Sequence, residues 1–359
     1  MLNTLAAILL FGLIVLVHEF GHFLLAKRAG IGVTEFSVGM GPRLISTVKG
    51  ETRYSLKVLP FGGSCVMIGE DAGEDADPKS FHNKSVLARI SVIAAGPVFN
   101  FILAFFFALI IVAQVGHDMP ILQDVMEGSP AQEAGLLPGD KITYLNNRKI
   151  EGYRDVSLYM NAHPGKTVTV RYERPFGGVW QEGAAAEKRS TEITPEFDEE
   201  YQSYMLGVVF PGYQKTEGIG ELLRYSLYEI QYCITSTIDS IGMLLRQQLK
   251  ASEAFAGPVQ IVSIVGETVE QGREAGFQAL FLILCNWGLL LSSSLGFMNL
   301  LPIPALDGGR LLFLLIELVR GEPIDPEKEG KVHMIGMMLL MALMVIILFN
   351  DIRKLIMPV

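Results

Sequence analysis

The sequence predicts a polytopic α-helical membrane protein of about four transmembrane helices, with a membrane-associated β-hairpin or small sheet and an inserted α+β domain. Three observations lead there. Half of the 359 residues are apolar and the mean hydropathy is +0.36, too high for an ordinary water-soluble enzyme. Four stretches reach the ~20 apolar residues that cross a hydrocarbon core: Leu2–Ala26, Ile90–Val115, Phe277–Leu301 with a broken continuation to Val319, and Val332–Phe349. A central block from about Pro120 to about Pro211 has instead the mixed composition of a water-soluble domain. The chain therefore divides into a membrane core at 1–115, a soluble domain at 116–212, a helical linker at 213–276 and a second membrane core at 277–359.

The first stretch has no Lys or Arg in its first ten residues, and no small-x-small cleavage site follows it. It is expected to be a retained helix, not a signal peptide. Positive charge sets the orientation. Lys27, Arg28, Arg43, Lys49, Arg53, Lys57, Lys79, Lys84 and Arg89 follow the first stretch, and Arg320, Lys328 and Lys331 lie between the last two. Both connections are expected to be cytoplasmic, with the N-terminus and the soluble domain outside; Arg353 and Lys354 run weakly against this. Tyr225–Leu245 contains Glu229 and Asp239 between Arg224 and Arg246, and reads as an amphipathic helix at the interface or against the bundle. If it spanned, the topology beyond it would invert.

A net charge of −9 gives no support for nucleic-acid binding. Cys65, Cys233 and Cys285 are an odd number at unrelated spacings. They form no disulfide framework and no cysteine zinc cluster, and read as buried thiols.

Ionisable residues inside a spanning helix are costly, so three of them within five positions call for a function. His18, Glu19 and His22 are that group, in His18-Glu19-Phe20-Gly21-His22. Histidines four apart share one face of an α-helix and can chelate one Zn²⁺. Glu19 lies about 100° around the helix, placed to take a proton from water that the metal activates. The plainer reading is a polar patch satisfied by neighbouring helices.

A catalytic zinc site usually has three protein ligands. The long metzincin motif is absent, because Leu25 and Arg28 occupy its glycine and third-histidine positions. His117 and His163 belong to the outer side, and His82 and His333 to polar cytoplasmic connections. Asp307 is better placed, in Asn299-Leu300-Leu301-Pro302-Ile303-Pro304-Ala305-Leu306-Asp307-Gly308-Gly309. Two prolines break the helix and paired glycines permit close approach. Irregular backbone at membrane depth is tolerated where it lines a cavity. Asp307 is thus a third ligand, or else a cap on the helix that resumes at Gly308.

The helix-borne His18–His22 motif, the segment Gly96-Pro97-Val98-Phe99-Asn100 and the run Asn299–Gly309 resemble the site-2 protease family of intramembrane zinc metalloproteases, in its bacterial regulator of sigma-E protease type. Motif order, topology and a Gly257-Pro258-Val259-Gln260 segment extend the likeness over nearly the whole chain. The resemblance implies that Asp307 is the third zinc ligand and Glu19 the catalytic base or acid. It implies that Asn299 contacts substrate backbone or holds the reacting region, and that Asn100, Pro302 and Pro304 shape the substrate path. It also implies a bacterial inner-membrane enzyme, active near the cytoplasmic side, whose partners are the lipid bilayer and single-span substrates such as anti-sigma factors or remnant signal peptides.

Ser129–Asp140 predicts a short helix and a glycine-containing turn leading into a strand at Lys141–Leu145. Tyr153–Asn161 is expected to be a helix, and Val168–Tyr172, Arg189–Ile193 and Met205–Val209 strands. The Ala134-Gly135-Leu136…Gly139-Asp140 pattern is similar to bacterial PDZ domains, which capture extended peptides by strand addition. Close relatives of the resembled type carry two such domains, whereas this chain has room for one. A peptide dock, a plug over the active site and a module for another partner all remain open. From about Thr34 to Met67 the alternation predicts a hairpin or small sheet, apolar enough in part to dip into the membrane. Its edge either pairs with an unwound substrate or is ordinary cytoplasmic structure. The acidic stretch Glu70–Asp77 reads as a solvated loop. The competing functional classes are a non-catalytic scaffold that recruits partners through the PDZ-like domain, and a metal-dependent transporter. The scaffold has no use for Glu19, and the transporter lacks a repeat of the spans.

Overall fold

The computed structural model describes residues 2–70, 77–178, 180, 185–199, 201, 203–248 and 257–356. In chain order these form α1 (Leu2–Arg28), β1 (Val33–Lys49), β2 (Thr52–Met67), α2 (Val86–Val115), β3 (Asp124–Val125), α3 (Pro130–Glu133), β4 (Lys141–Leu145), β5 (Arg148–Lys149), α4 (Tyr153–Ala162), β6 (Val168–Pro175), β7 (Ala186–Ile193), β8 (Glu196–Asp198), β9 (Ser203–Met205), β10 (Val208–Val209), α5 (Ile219–Leu245), α6 (Pro258–Ala275), α7 (Phe277–Leu300), α8 (Asp307–Arg320) and α9 (Pro326–Ile356). Most of the acidic stretch expected as a loop lies outside the described residues.

The chain separates into two compact units, one of Met1–Ala108 with Lys250–Val359 and one of Leu109–Leu249. In the first, α1, α7 and α9, with α2, are long and apolar enough to cross a membrane. The stretch Tyr225–Leu245, within α5, is not among these candidates. α9 outruns its predicted span at both ends, because polar residues such as Glu327 and Arg353 continue the helix beyond the apolar centre. Pro326 opens it, where a missing N–H costs nothing. The break after α7 falls at Leu301–Leu306, and the chain resumes as α8 at Asp307.

The hairpin folds back on itself. Its outer arms pair as Ile45↔Leu56 through Lys49↔Thr52, and its roots as Val33↔Met67 through Val38↔Gly63. Residues Glu35–Val38 also pair with Arg53–Leu56, so the start of β1 has a neighbour on each side. Gly39 and Gly41, at φ 85° and 88°, make the bend that L side chains resist. The root of β2, Gly63–Met67, is left at the edge beside α1.

The second unit is built on a four-stranded sheet of order β5-β4-β6-β7. Its core gathers Leu122, Ile142, Leu145, Val156, Val168 and Val170. Ser129 caps α3 by accepting from the Gln132 amide at 3.3 Å. The single strand expected over Met205–Val209 is instead β9 and β10, separated at Leu206–Gly207, and the two pair with different partners. α5 docks on this unit through buried charge. The Arg154 guanidinium binds Asp118 at 3.0 Å and Glu229 of α5, and His117 stacks on Tyr225 with ring centroids 3.5 Å apart.

Breaking this network strands buried carboxylates. Arg154→Ala is expected to destabilise the unit by about 3 kcal/mol, whereas Arg189→Ala, at the exposed pair with Glu187, changes stability by less than about 0.5 kcal/mol. Denaturant titration of the two purified variants checks the difference.

Candidate metal centre

The i, i+4 spacing places His18 and His22 side by side on α1, and both are buried, at 8% and 6% exposure. What lets a second helix cover them is the absence of side chains. A Cβ on Gly21 would run into the Ala95 carbonyl of α2, and a Cβ on Gly96 would occupy the space of both imidazole Nε2 atoms. Neither motif, read along the chain alone, reveals this packing role. Its only local sign is a glycine within each.

The two Nε2 atoms stand 3.2 Å apart. Asp307 Oδ2 is 3.1 Å from the His18 nitrogen and 3.5 Å from that of His22. Among the described residues this is the group of His, Cys, Asp and Glu whose ligand atoms converge, all within 4.8 Å. A tetrahedral zinc with bonds of 2.0–2.1 Å separates its ligand atoms by about 3.3 Å, so the spacing suits one ion. Asp307 Oδ2 is buried without a hydrogen-bond partner among the described residues, leaving an acceptor to which a cation is suited. His22 Nδ1 lies 2.9 Å from the Val92 carbonyl. Nδ1 must then carry the proton, and Nε2 keeps its lone pair.

Asp307 is the first helical residue of α8 and not its cap, since Leu306 holds that position. Its carboxylate faces the two histidines. Gly308 and Gly309 allow this, because a Cβ on either would meet the carbonyls of Leu301 and Ile303. The loop also carries a strained residue, Ala305, at φ +75°. Its amide donates to His333 Nδ1 of α9 at 3.0 Å, and Gly336 of α9 leaves no room for a Cβ against Pro304. His333, poorly placed as a ligand, therefore serves the loop that presents Asp307.

Glu19 sits beside the cluster without joining it. Its carboxylate faces the Cys65 main chain, and a Cβ on Gly63 would stand 3.0 Å from its Cγ. Glu19, His18, His22 and Asp307 line one cavity of about 550 Å³, which also meets His82 and Arg310. Near it, Arg89 and Glu317 form a buried ion pair at 2.5 Å that ties α2 to α8.

Other residues singled out from the motifs are arranged differently. Asn299, Pro302 and Pro304 are not among the lining residues of this cavity. Asn299 and Pro304 are half-buried and Pro302 is exposed. Asn100 is 0% exposed, with its amide 3.1 Å from His18 Nδ1. Its side chain is enclosed behind His18 in this structure. Spacing along α2 carries no sign of such a contact.

Gly96→Ala is expected to cost about 1–3 kcal/mol by overpacking and to abolish tight zinc binding, measured by competition with a chromogenic chelator. Ala305→Gly removes backbone strain and is expected to raise the melting temperature, whereas His333→Ala lowers it. A thermal scan of both detergent-solubilised variants tests the pair.

Comparison with known proteins agrees with the site. The profile of Peptidase family M50 matches residues 6–343. The chain is 30% identical to the zinc metalloprotease RasP of Geobacillus kaustophilus, covering 98% of each chain. It is also 30% identical to the regulator of sigma-W protease RasP of Bacillus subtilis, covering 98% of this chain and 99% of that one. These alignments run over 432 and 442 residues, longer than this chain's 359, so those relatives contain insertions. A PDZ domain of an SdrC-like protein from Listeria monocytogenes aligns with 27% of this chain and 92% of its own, at 20% identity and a TM-score of 0.20, a level that decides nothing about the fold. The match over almost the full length, on a chain with a convergent His-His-Asp cluster, makes this protein a member of Peptidase family M50 and a zinc metalloprotease.

Proposed function

We propose that this chain cleaves peptide bonds within or at the edge of transmembrane helices, at a single zinc held by His18, His22 and Asp307. The observation that carries the reading is the convergence of the three ligand atoms beside Glu19, in a cavity at the depth of α1. Zinc bound there supplies Lewis acidity, polarising a carbonyl oxygen and making a water molecule easier to deprotonate. Glu19 takes the proton of the attacking water and returns it to the departing amide nitrogen. Its carboxylate is aimed for this by the Cys65 amide and the bare Gly63.

A helical substrate hides its peptide bonds in its own hydrogen bonds and has to unwind first. The root of β2 is an edge strand beside Glu19, suited to pairing with an extended segment. Met40, Leu44, Ile45 and Val48 leave the hairpin an exposed apolar surface suited to lipid. Positive charge supports a cytoplasmic placement of the hairpin and the metal site, with the PDZ-like domain on the outer face of a bacterial inner membrane. There it serves peptide docking and access control. The name of the Bacillus subtilis relative, a regulator of sigma-W protease, supports membrane-bound anti-sigma factors as substrates, and the same chemistry suits remnant signal peptides. Asn299, Pro302 and Pro304 keep a supporting part, through the shape of the loop that carries Asp307.

Glu19→Gln is expected to hold zinc with parental affinity while cleaving a single-span substrate about 10²–10⁴-fold more slowly. A variant that loads zinc and still cleaves at the parental rate would overturn the assignment.

A further inference from the structure

From the contacts of Asn100 we infer that it is a positioning residue for the metal site, holding His18 in the tautomer that ligates. The inference rests on the zinc-site reading above. Asn100 Nδ2 lies 3.1 Å from His18 Nδ1, and both residues are buried. Asn100 Oδ1 is buried with no hydrogen-bond partner among the described residues. The amide nitrogen and oxygen exchange places on rotation of the amide by half a turn. With nitrogen toward the ring, Nδ2–H donates to Nδ1, the ring proton moves to Nε2, and the lone pair needed for the metal is lost. With oxygen toward the ring, Nδ1–H donates to Oδ1, Nε2 keeps its lone pair, and the orphaned oxygen gains its partner. Only the second orientation is compatible with a ligand at His18.

His22 offers the internal comparison. Its Nδ1 meets a main-chain carbonyl, that of Val92, at 2.9 Å. α2 thus supplies an acceptor to each imidazole, one from its backbone and one from a side chain. Asn100 is itself fixed, because its main-chain carbonyl accepts from Ser292 Oγ of α7 at 2.9 Å. An acceptor of this kind fixes ring orientation and raises ligand basicity, and its removal typically costs 10–100-fold in metal affinity.

The test is zinc affinity of the full-length protein in detergent, measured by chelator competition, with monodispersity on size exclusion as the folding control. Asn100→Leu, which keeps the volume and removes the acceptor, is expected to weaken zinc about 10–100-fold. Asn100→Asp, which can only accept, is expected to return affinity to within about threefold of the parent. Parental affinity in the Leu variant overturns the inference, and so does an Asp variant that folds but binds no better than Leu. His18→Ala and Asp307→Ala, run alongside, separate the two readings. If they too retain zinc, the ligand assignment itself is wrong, whereas their loss of zinc with an unaffected Leu variant removes only the role of Asn100.

Discussion

In a helix bundle that excludes water, every lone pair and every N–H has to find a partner among its neighbours, or a bound ion in their place. The cluster of His18, His22 and Asp307 is organised by that requirement. The three facing atoms stand 3.1–3.5 Å apart, a spacing that a proton or a bound cation among them satisfies. The opposite ring nitrogens of both histidines meet α2, at the Val92 carbonyl and the Asn100 amide. The contact depends on how near α2 can come, and Gly21 and Gly96 set that distance. Two missing side chains thus let α2 close over the histidines.

Asp307 comes from the other end of the sequence and from a broken helix. Proline removes the amides that would continue α7, and glycine lets α8 start against the carbonyls that α7 leaves behind. A left-handed alanine costs on the order of 1 kcal/mol, and the hydrogen bond from its amide to His333 offsets this. α9 therefore holds the loop in place without contributing a ligand. Glu19 belongs to neither group. It lies on α1 but faces the hairpin at Cys65 and Gly63, so its carboxylate stands beside the edge strand β2.

The unit spanning Leu109–Leu249 is stabilised differently. Its sheet and apolar core are those of a small water-soluble domain, but α5 is fastened to it by Arg154, Asp118 and Glu229, a charged group largely withdrawn from solvent. Such a group adds little net stability over an apolar contact, yet it is unforgiving of the loss of one member. It fixes where α5 sits more firmly than apolar packing alone.

The sequence by itself determined the number of apolar helices, the hairpin, the helix break and the short list of His18, Glu19, His22 and Asp307. These follow from run length, period and the cost of burying charge, all of which are local in the chain. The domain's Met205–Val209 stretch reads as one strand and folds as parts of two, because two short strands around a glycine have the same alternation as one. Only the tertiary structure shows that Leu306 and not Asp307 holds the cap position and that the Asp307 carboxylate faces the two histidines, since that depends on where α8 begins relative to α1. It alone placed Asn100 behind His18 and His333 against the loop. Contacts between residues such as Asn100 and His18, 82 positions apart, leave no trace in local pattern, because they are set by the approach of helices and not by the period along one.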